Sequence, residues 1–258
     1  MPRQNVYHLQ AKPEQIGQYV FLPGDPDRVY AISEHFEARR EVSSARGFLI
    51  HTGHIDGTPV SAVCTGVGGP SAALVTEELI ALGAHTLLRV GTCGSLQPDV
   101  RAGELVISVA SVRDEGTTRQ YVPAEFPAVA SFELVNALVA AAAKVAVICH
   151  VGITHSKDAF YSEYPERTAH PSEAGSRWAT WRRANALATE MEAASIFVLG
   201  SLRACRAGAI LSVVGSVLDE NLIFDQSSVR HAVAVAVEAI RGLIRSDAGD
   251  GARGRRDG

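Results

Sequence analysis

The chain has 258 residues, 47% of them apolar and 20% charged, with a formal net charge of −4. That length suffices for one large α/β core, and the charge balance excludes a polycation that grips nucleic acid or anionic membrane nonspecifically. Any site for an anion must therefore be a local gathering of arginines. In chain order, β-rich apolar runs are predicted at 19–23, 48–55, 60–65, 86–90, 104–108, 145–153 and 210–214, with helical patterns between several of them. Gly69-Pro70-Ser71 opens one helix, in which Val75 and Leu79 stand four apart and Gly83 marks the end. Residues 114–129 are polar and then broken by Pro123 and Pro127, which reads as a long ordered loop over a surface or a neighbour. Ser228 caps a segment whose Val233, Val237, Ile240 and Ile244 form one apolar stripe. The alternation predicts an α/β fold in a single domain, residues 1–245, and the Gly/Asp/Arg-rich stretch 246–258 reads as a disordered tail.

Cys64, Cys93, Cys149 and Cys205 are widely spaced, without a CxxC or a His/Cys cluster. They read as small buried residues of a reducing compartment, not as a disulfide or zinc framework. The start, MPRQNVYHLQ, has no signal-peptide core, and no apolar run reaches membrane-spanning length, so the expected location is the cytoplasm.

Three arginines stand beside glycines or at strand ends. In FLPGDPDRV an apolar run breaks at Pro23-Gly24-Asp25-Pro26 and presents Arg28. This is either a helix start, capped by Asp25 with Pro26 at the first position, or an anion cradle. Arg46 lies in SSARGF, and Arg89 sits in LLRVGTCG with Thr92 just beyond. Arginine in an apolar strand is costly without a partner, so Arg89 holds either a buried carboxylate or a ligand. Guanidinium suits phosphate because its planar fork donates paired hydrogen bonds. The glycine-rich 66–71 adds a second strand-to-helix junction. In NALATEMEAAS, Glu190 and Glu192 flank Met191 inside an apolar run; they are predicted to face opposite ways, leaving at least one in the interior or a cleft. Such an acid would suit a sugar diol, although a helix N-terminus would also favour both. Finally, Phe160, Tyr161, Tyr164, Glu163 and Arg167 in DAFYSEYPERT suit either a planar heterocycle or an aromatic-anchored surface loop.

Taken in order, FLPGDPDRV, CTGVGGPSAAL, RVGTCGSLQPDVRAGELVISVASVRDEG, EFPAVASF, VGITHSKDAFY and TEMEAAS resemble the signature blocks of the uridine phosphorylase branch of the hexameric nucleoside phosphorylases. The likeness runs from about His8 to about Ile244. It implies a mixed, partly barrel-like sheet between helices, and dimers that share active sites within a hexamer. It also implies phosphorolysis of a nucleoside to free base and ribose 1-phosphate, with phosphate as co-substrate and no cofactor. Phosphate would meet Gly24, Arg28, Arg89 and Thr92, with Arg46 reaching in from a neighbouring subunit. Met191 and Glu192 would hold the ribose, and the neighbour's His8 its 5′ hydroxyl. Phe160, Glu163 and Arg167 would meet the base, with Arg89, Arg167 and Glu192 carrying the catalysis.

The chain also departs from the family pattern. Glu163 stands where the family typically has glutamine, and an ionised carboxylate accepts hydrogen bonds without donating any. Gly47 replaces a glutamate with which some relatives hold a monovalent cation, so no metal is expected there. Asp219 is out of register with the acid that protonates purines in a sister branch, leaving Ser216 or Val217 nearer the base. The base preference thus favours a pyrimidine. The alternatives that remain are a purine or broad-specificity phosphorylase, a nucleosidase using water, and a nucleoside-binding protein without turnover.

Overall fold

A computed structural model describes residues 6–217 and 228–253. Among them are ten strands, β1 Tyr19–Leu22, β2 Glu37–Ser43, β3 Ile50–Ile55, β4 Thr58–Val63, β5 Thr86–Ser95, β6 Leu105–Asp114, β7 Ala128–Val129, β8 Cys149–Lys157, β9 Ala188–Glu190 and β10 Arg206–Ser216. Six α-helices accompany them: α1 Pro26–Ser33, α2 Gly69–Ala81, α3 Phe132–Val145, α4 Pro171–Arg183, α5 Ala193–Leu202 and α6 Val229–Arg253. β10, β6, β8, β9 and β5 pair in succession, and β5 pairs back onto β10, so five strands close into a mixed ring. From β5 the sheet continues outward through β1, β4, β3 and β2. This is the α/β, partly barrel-like sheet that the sequence led us to expect.

Helices cover both faces. Val29 and Ile32 of α1, Leu134 and Leu138 of α3, and the predicted α6 stripe of Val233, Val237, Ile240 and Ile244 share one apolar cluster. Val75 and Leu79 of α2 pack with α5 on the other side. Residues 193–200 of α5 are buried on every side, which explains why that run carries no amphipathic period. Inside the ring, Cys93, Val106, Leu211 and Val213 form a third cluster.

The boundaries differ from expectation at informative places. The run predicted as a strand over 145–153 is divided. α3 continues to Val145, Ala146 turns left-handed at φ 59°, and the strand starts at Cys149. β2 carries no alternating pattern because all its residues are exposed or half-buried. The loop 114–129 is ordered around Arg113, whose Nη1 donates to the carbonyls of Pro123 (2.7 Å), Ala124 (3.1 Å) and Phe126. The expectation of a disordered tail from residue 246 is corrected as far as Arg253, because α6 continues that far. Asp247 ties that part down, accepting from Tyr19 Oη at 2.6 Å and from Arg206 Nη1 and Nη2 at 2.9 and 2.6 Å. Residues 254–258 lie outside the described residues.

Candidate active site

β4, β1, β5 and β10 run parallel, so their carboxyl ends collect at one edge of the ring. A cavity of about 560 Å³ opens there. It is lined by Gly24 and Arg28 after β1, Arg89 and Thr92 of β5, Lys157 at the end of β8, Glu190 at the end of β9, and Met191 and Glu192 just beyond it. This is where open α/β sheets generally bind ligands.

The turn in FLPGDPDRV serves both readings at once. Asp25 Oδ1 accepts from the Asp27 amide at 2.9 Å, Pro26 opens α1, and the helix so fixed carries Arg28 to the cavity. Leu22 lies beside Arg89 in the β1–β5 register, which sets the turn level with the Arg89 guanidinium. Arg28 Nη1 donates to the Val90 carbonyl at 3.1 Å, while its buried Nε has no partner among the described residues. Burial, and then the like charge of Arg89, push the Arg28 pKa down. Arg28 thus keeps a buried donor that the described residues leave unused.

Arg89 also satisfies its structural reading. It is 4% exposed, its Nε meets Glu190 at 2.8 Å and its Nη2 meets Glu192 at 2.5 Å. Burial alone would lower its pKa, but Glu192 and Glu190 outweigh that and raise it. Neither contact uses Nη1. The guanidinium folds back over Gly91, where a Cβ would stand 2.7 Å from Cζ and Nη2. Glycine at that position is what lets an arginine turn inward from the middle of a strand.

The two acids were expected to face opposite ways; instead both meet Arg89. The chain turns between the end of β9 and the start of α5, which swings Glu192 round to the same cation. Glu190 Oε2 also accepts the amides of Glu192 and Ala193 at 2.8 and 2.9 Å, so it caps α5, and its Oε1 accepts from Ser156 Oγ. Glu192 Oε1 accepts the Gly68 amide at 2.6 Å, across the glycine-rich junction where Gly68 adopts φ 94°. Burial holds the Glu192 carboxyl above the usual carboxylate range, against the pull of Arg89.

At the far end of the cavity Phe160 and Glu163 are present as expected, but Arg167 is not. It is exposed, with its guanidinium over the rings of Tyr164 and Tyr161 at 4.7 and 5.4 Å, and so belongs to the outside of that aromatic turn. Arg167 was expected to meet the base; in this structure it does not line the cavity. The cation that does line this end is Lys157, which we did not single out from the sequence. A lysine closing a β-rich run just before an aromatic cluster was the available signal. Its Nζ meets Glu163 Oε1 at 2.7 Å and donates to Thr189 Oγ1 at 3.0 Å.

Arg46 and His8 do not line this chain's own cavity. Arg46 is exposed, donates to Tyr7 Oη at 3.0 Å and covers the Tyr7 ring. His8 Nδ1 lies 2.7 Å from Glu78 Oε1, and Glu78 also accepts the His8 and Leu9 amides. Ser216 and Val217 border the cavity, whereas Asp219 lies outside the described residues. No group of three or more metal-ligating side chains, and no helix long and apolar enough to cross a membrane, occurs among the described residues.

Two arginines, one with a buried donor unused among the described residues, and a buried carboxylate thus line one cavity of an α/β fold. The chain belongs to the Phosphorylase superfamily, whose profile matches residues 18–245. It is 44% identical to the uridine phosphorylase of Treponema pallidum, covering 93% of this chain and 95% of that protein. It is 41% identical to the uridine phosphorylase of Thermococcus kodakarensis, over 93% of this chain and 87% of the relative. A guanosine phosphorylase of Halorubrum lacusprofundi is 37% identical, over 83% and 85% of the two chains.

Proposed function

We propose that this chain catalyses the reversible phosphorolysis of uridine to uracil and ribose 1-phosphate. The observation that carries the reading is Arg28, which lines the cavity together with Arg89 and whose buried Nε lacks a partner among the described residues. The extended likeness to uridine phosphorylases supports the choice of nucleoside. Phosphate rests among Gly24, Arg28, Arg89 and Thr92, below a ribose held by Met191 and Glu192. Each Glu192 oxygen already accepts one protein donor, and a carboxylate oxygen can accept a second, so both are open to ribose hydroxyls. As the C1′–N1 bond lengthens, positive charge grows on the sugar, and the phosphate dianion stabilises that charge before it bonds to C1′. The base lies against Phe160 and Glu163.

Arg46 and His8 serve the cavity of a neighbouring subunit, and dimers sharing sites in this way assemble into a cytoplasmic hexamer. No cofactor takes part. The guanosine phosphorylase relative favours a second reading, a broader or purine preference. Uracil release from uridine, followed with and without phosphate and alongside guanosine, inosine and thymidine, separates these readings. Release only with phosphate supports phosphorolysis, and release without it marks a nucleosidase. Binding without release marks a carrier or sensor, and faster cleavage of guanosine overturns the pyrimidine preference.

A further inference from the structure

Resting on that reading, we propose that Lys157 is a catalytic residue that takes up negative charge on the departing base, held in place by Glu163 and Thr189. An ammonium has three protons to donate, and the contacts to Glu163 and Thr189 engage two. The third remains on a side chain that borders the cavity at the same end as Phe160 and Glu163. The ammonium also stands 5.5 Å from the centre of the Phe160 ring and 5.9 Å from that of Trp178, with 5% of its side chain exposed. A cation this dry acts far more strongly on a neighbouring charge than one in water.

The support on the protein side is rigid. Thr189 Oγ1 accepts from Lys157, so its own proton goes to His155 Nδ1 at 2.9 Å. His155 Nε2 then donates to Asp114 Oδ2 at 3.0 Å, and Arg177 Nε donates to the same oxygen at 2.9 Å. These contacts fix the position of the ammonium from behind.

The chemistry fits a uracil edge, which shows a carbonyl, an N–H and a carbonyl in succession. Glu163 accepts from N3–H, and Lys157 donates to an adjacent carbonyl. When C1′–N1 breaks, the bonding pair goes to N1 and spreads onto O2 and O4, next to the ammonium. Hydrogenphosphate loses its proton as the new C1′–O bond forms, and the uracil anion takes up one proton, so the reaction balances without any further reagent.

The test uses leaving groups of different acidity. Lys157→Met should lower kcat for uridine by about 100-fold or more, and by several-fold less for 5-fluorouridine, whose base carries negative charge more easily. An equal loss on both substrates, or a loss below about threefold, overturns the proposal. Lys157→Met leaves Glu163 buried and unpaired, so the Lys157→Met/Glu163→Gln double variant is measured as well. The unequal loss should persist there, and a return to wild-type turnover would reduce Lys157 to a counterion for Glu163. A binding measurement stands apart from turnover. The wild type should bind 5-nitrouracil, already an anion near neutral pH, more tightly than uracil, and Lys157→Met should lose that preference. If the wild type fails to cleave uridine, the functional reading falls, while the 5-nitrouracil comparison still decides the role of Lys157.

Discussion

Gly91→Ala tests the inward turn of Arg89 without touching a charged group. The added methyl would stand 2.7 Å from Arg89 Cζ and Nη2 and 2.9 Å from Leu211 Cδ2, against an ordinary contact of 3.4 Å or more. Either the guanidinium moves by about 0.7 Å or the strand does. The far end of an arginine is ordinarily free to yield, but this one is held by Glu190 at 2.8 Å and Glu192 at 2.5 Å, so a shift lengthens both contacts. Overpacking of this kind costs about 1–3 kcal/mol of stability, and a misplacement near 1 Å can cost about 100-fold in rate. Urea unfolding and steady-state kinetics with varied phosphate measure the two effects on one preparation. The expected outcome is a folded protein, modestly destabilised, with kcat/KM for phosphate down by about 10- to 100-fold. A variant with wild-type kinetics and stability would refute the idea that Gly91 is required for the placement of Arg89.

Arg28→Ala should fold normally, because among the described residues Arg28 donates only to the Val90 carbonyl, yet it should weaken phosphate. A lost charged hydrogen bond of about 1.5–3 kcal/mol predicts a rise in phosphate KM of roughly 10- to 100-fold; an unchanged KM would remove Arg28 from the site. Burial, and then Lys157, hold the His155 pKa at about 4. A folded pKa depressed below the ordinary ~6.5 contributes stability that is complete above pH 6.5 and disappears as pH falls through 4, a loss of at most roughly 3 kcal/mol. His155→Gln should flatten unfolding free energy across that window, and an unaltered pH profile would place its origin elsewhere. Asp247→Ala should cost about 1 kcal/mol by removing the Tyr19 and Arg206 contacts; a melting temperature equal to wild type would mean that residues 246–253 are not docked.

What the sequence made legible was mainly whatever a local pattern encodes. The α6 stripe, the α2 start and the turn after β1 each follow from residues within one or two turns of chain. The extension of β5 to Ser95 was hidden because Gly91, Thr92 and Gly94 read as loop formers; β10 and β9 supply the backbone partners that keep the chain extended there. The α3–β8 boundary was hidden because Val145 and Val147 suit either element until the left-handed Ala146 ends the helix. At the site, Arg89 stood out because a cation in an apolar strand must be partnered. The convergence of Glu190 and Glu192 on it was not visible, because it depends on the turn between β9 and α5. Lys157 and Glu163 are only six residues apart, yet their pairing depends on the aromatic turn between them, which folds Glu163 back and leaves Arg167 outside.

Phosphorus NMR of the wild-type protein with uridine and inorganic phosphate is the most direct test of the proposed phosphorolysis. A new sugar phosphate ester resonance should grow in a 1:1 ratio with uracil while inorganic phosphate declines. Uracil appearing with no phosphorus signal but inorganic phosphate would contradict phosphorolysis, because water would then be the nucleophile.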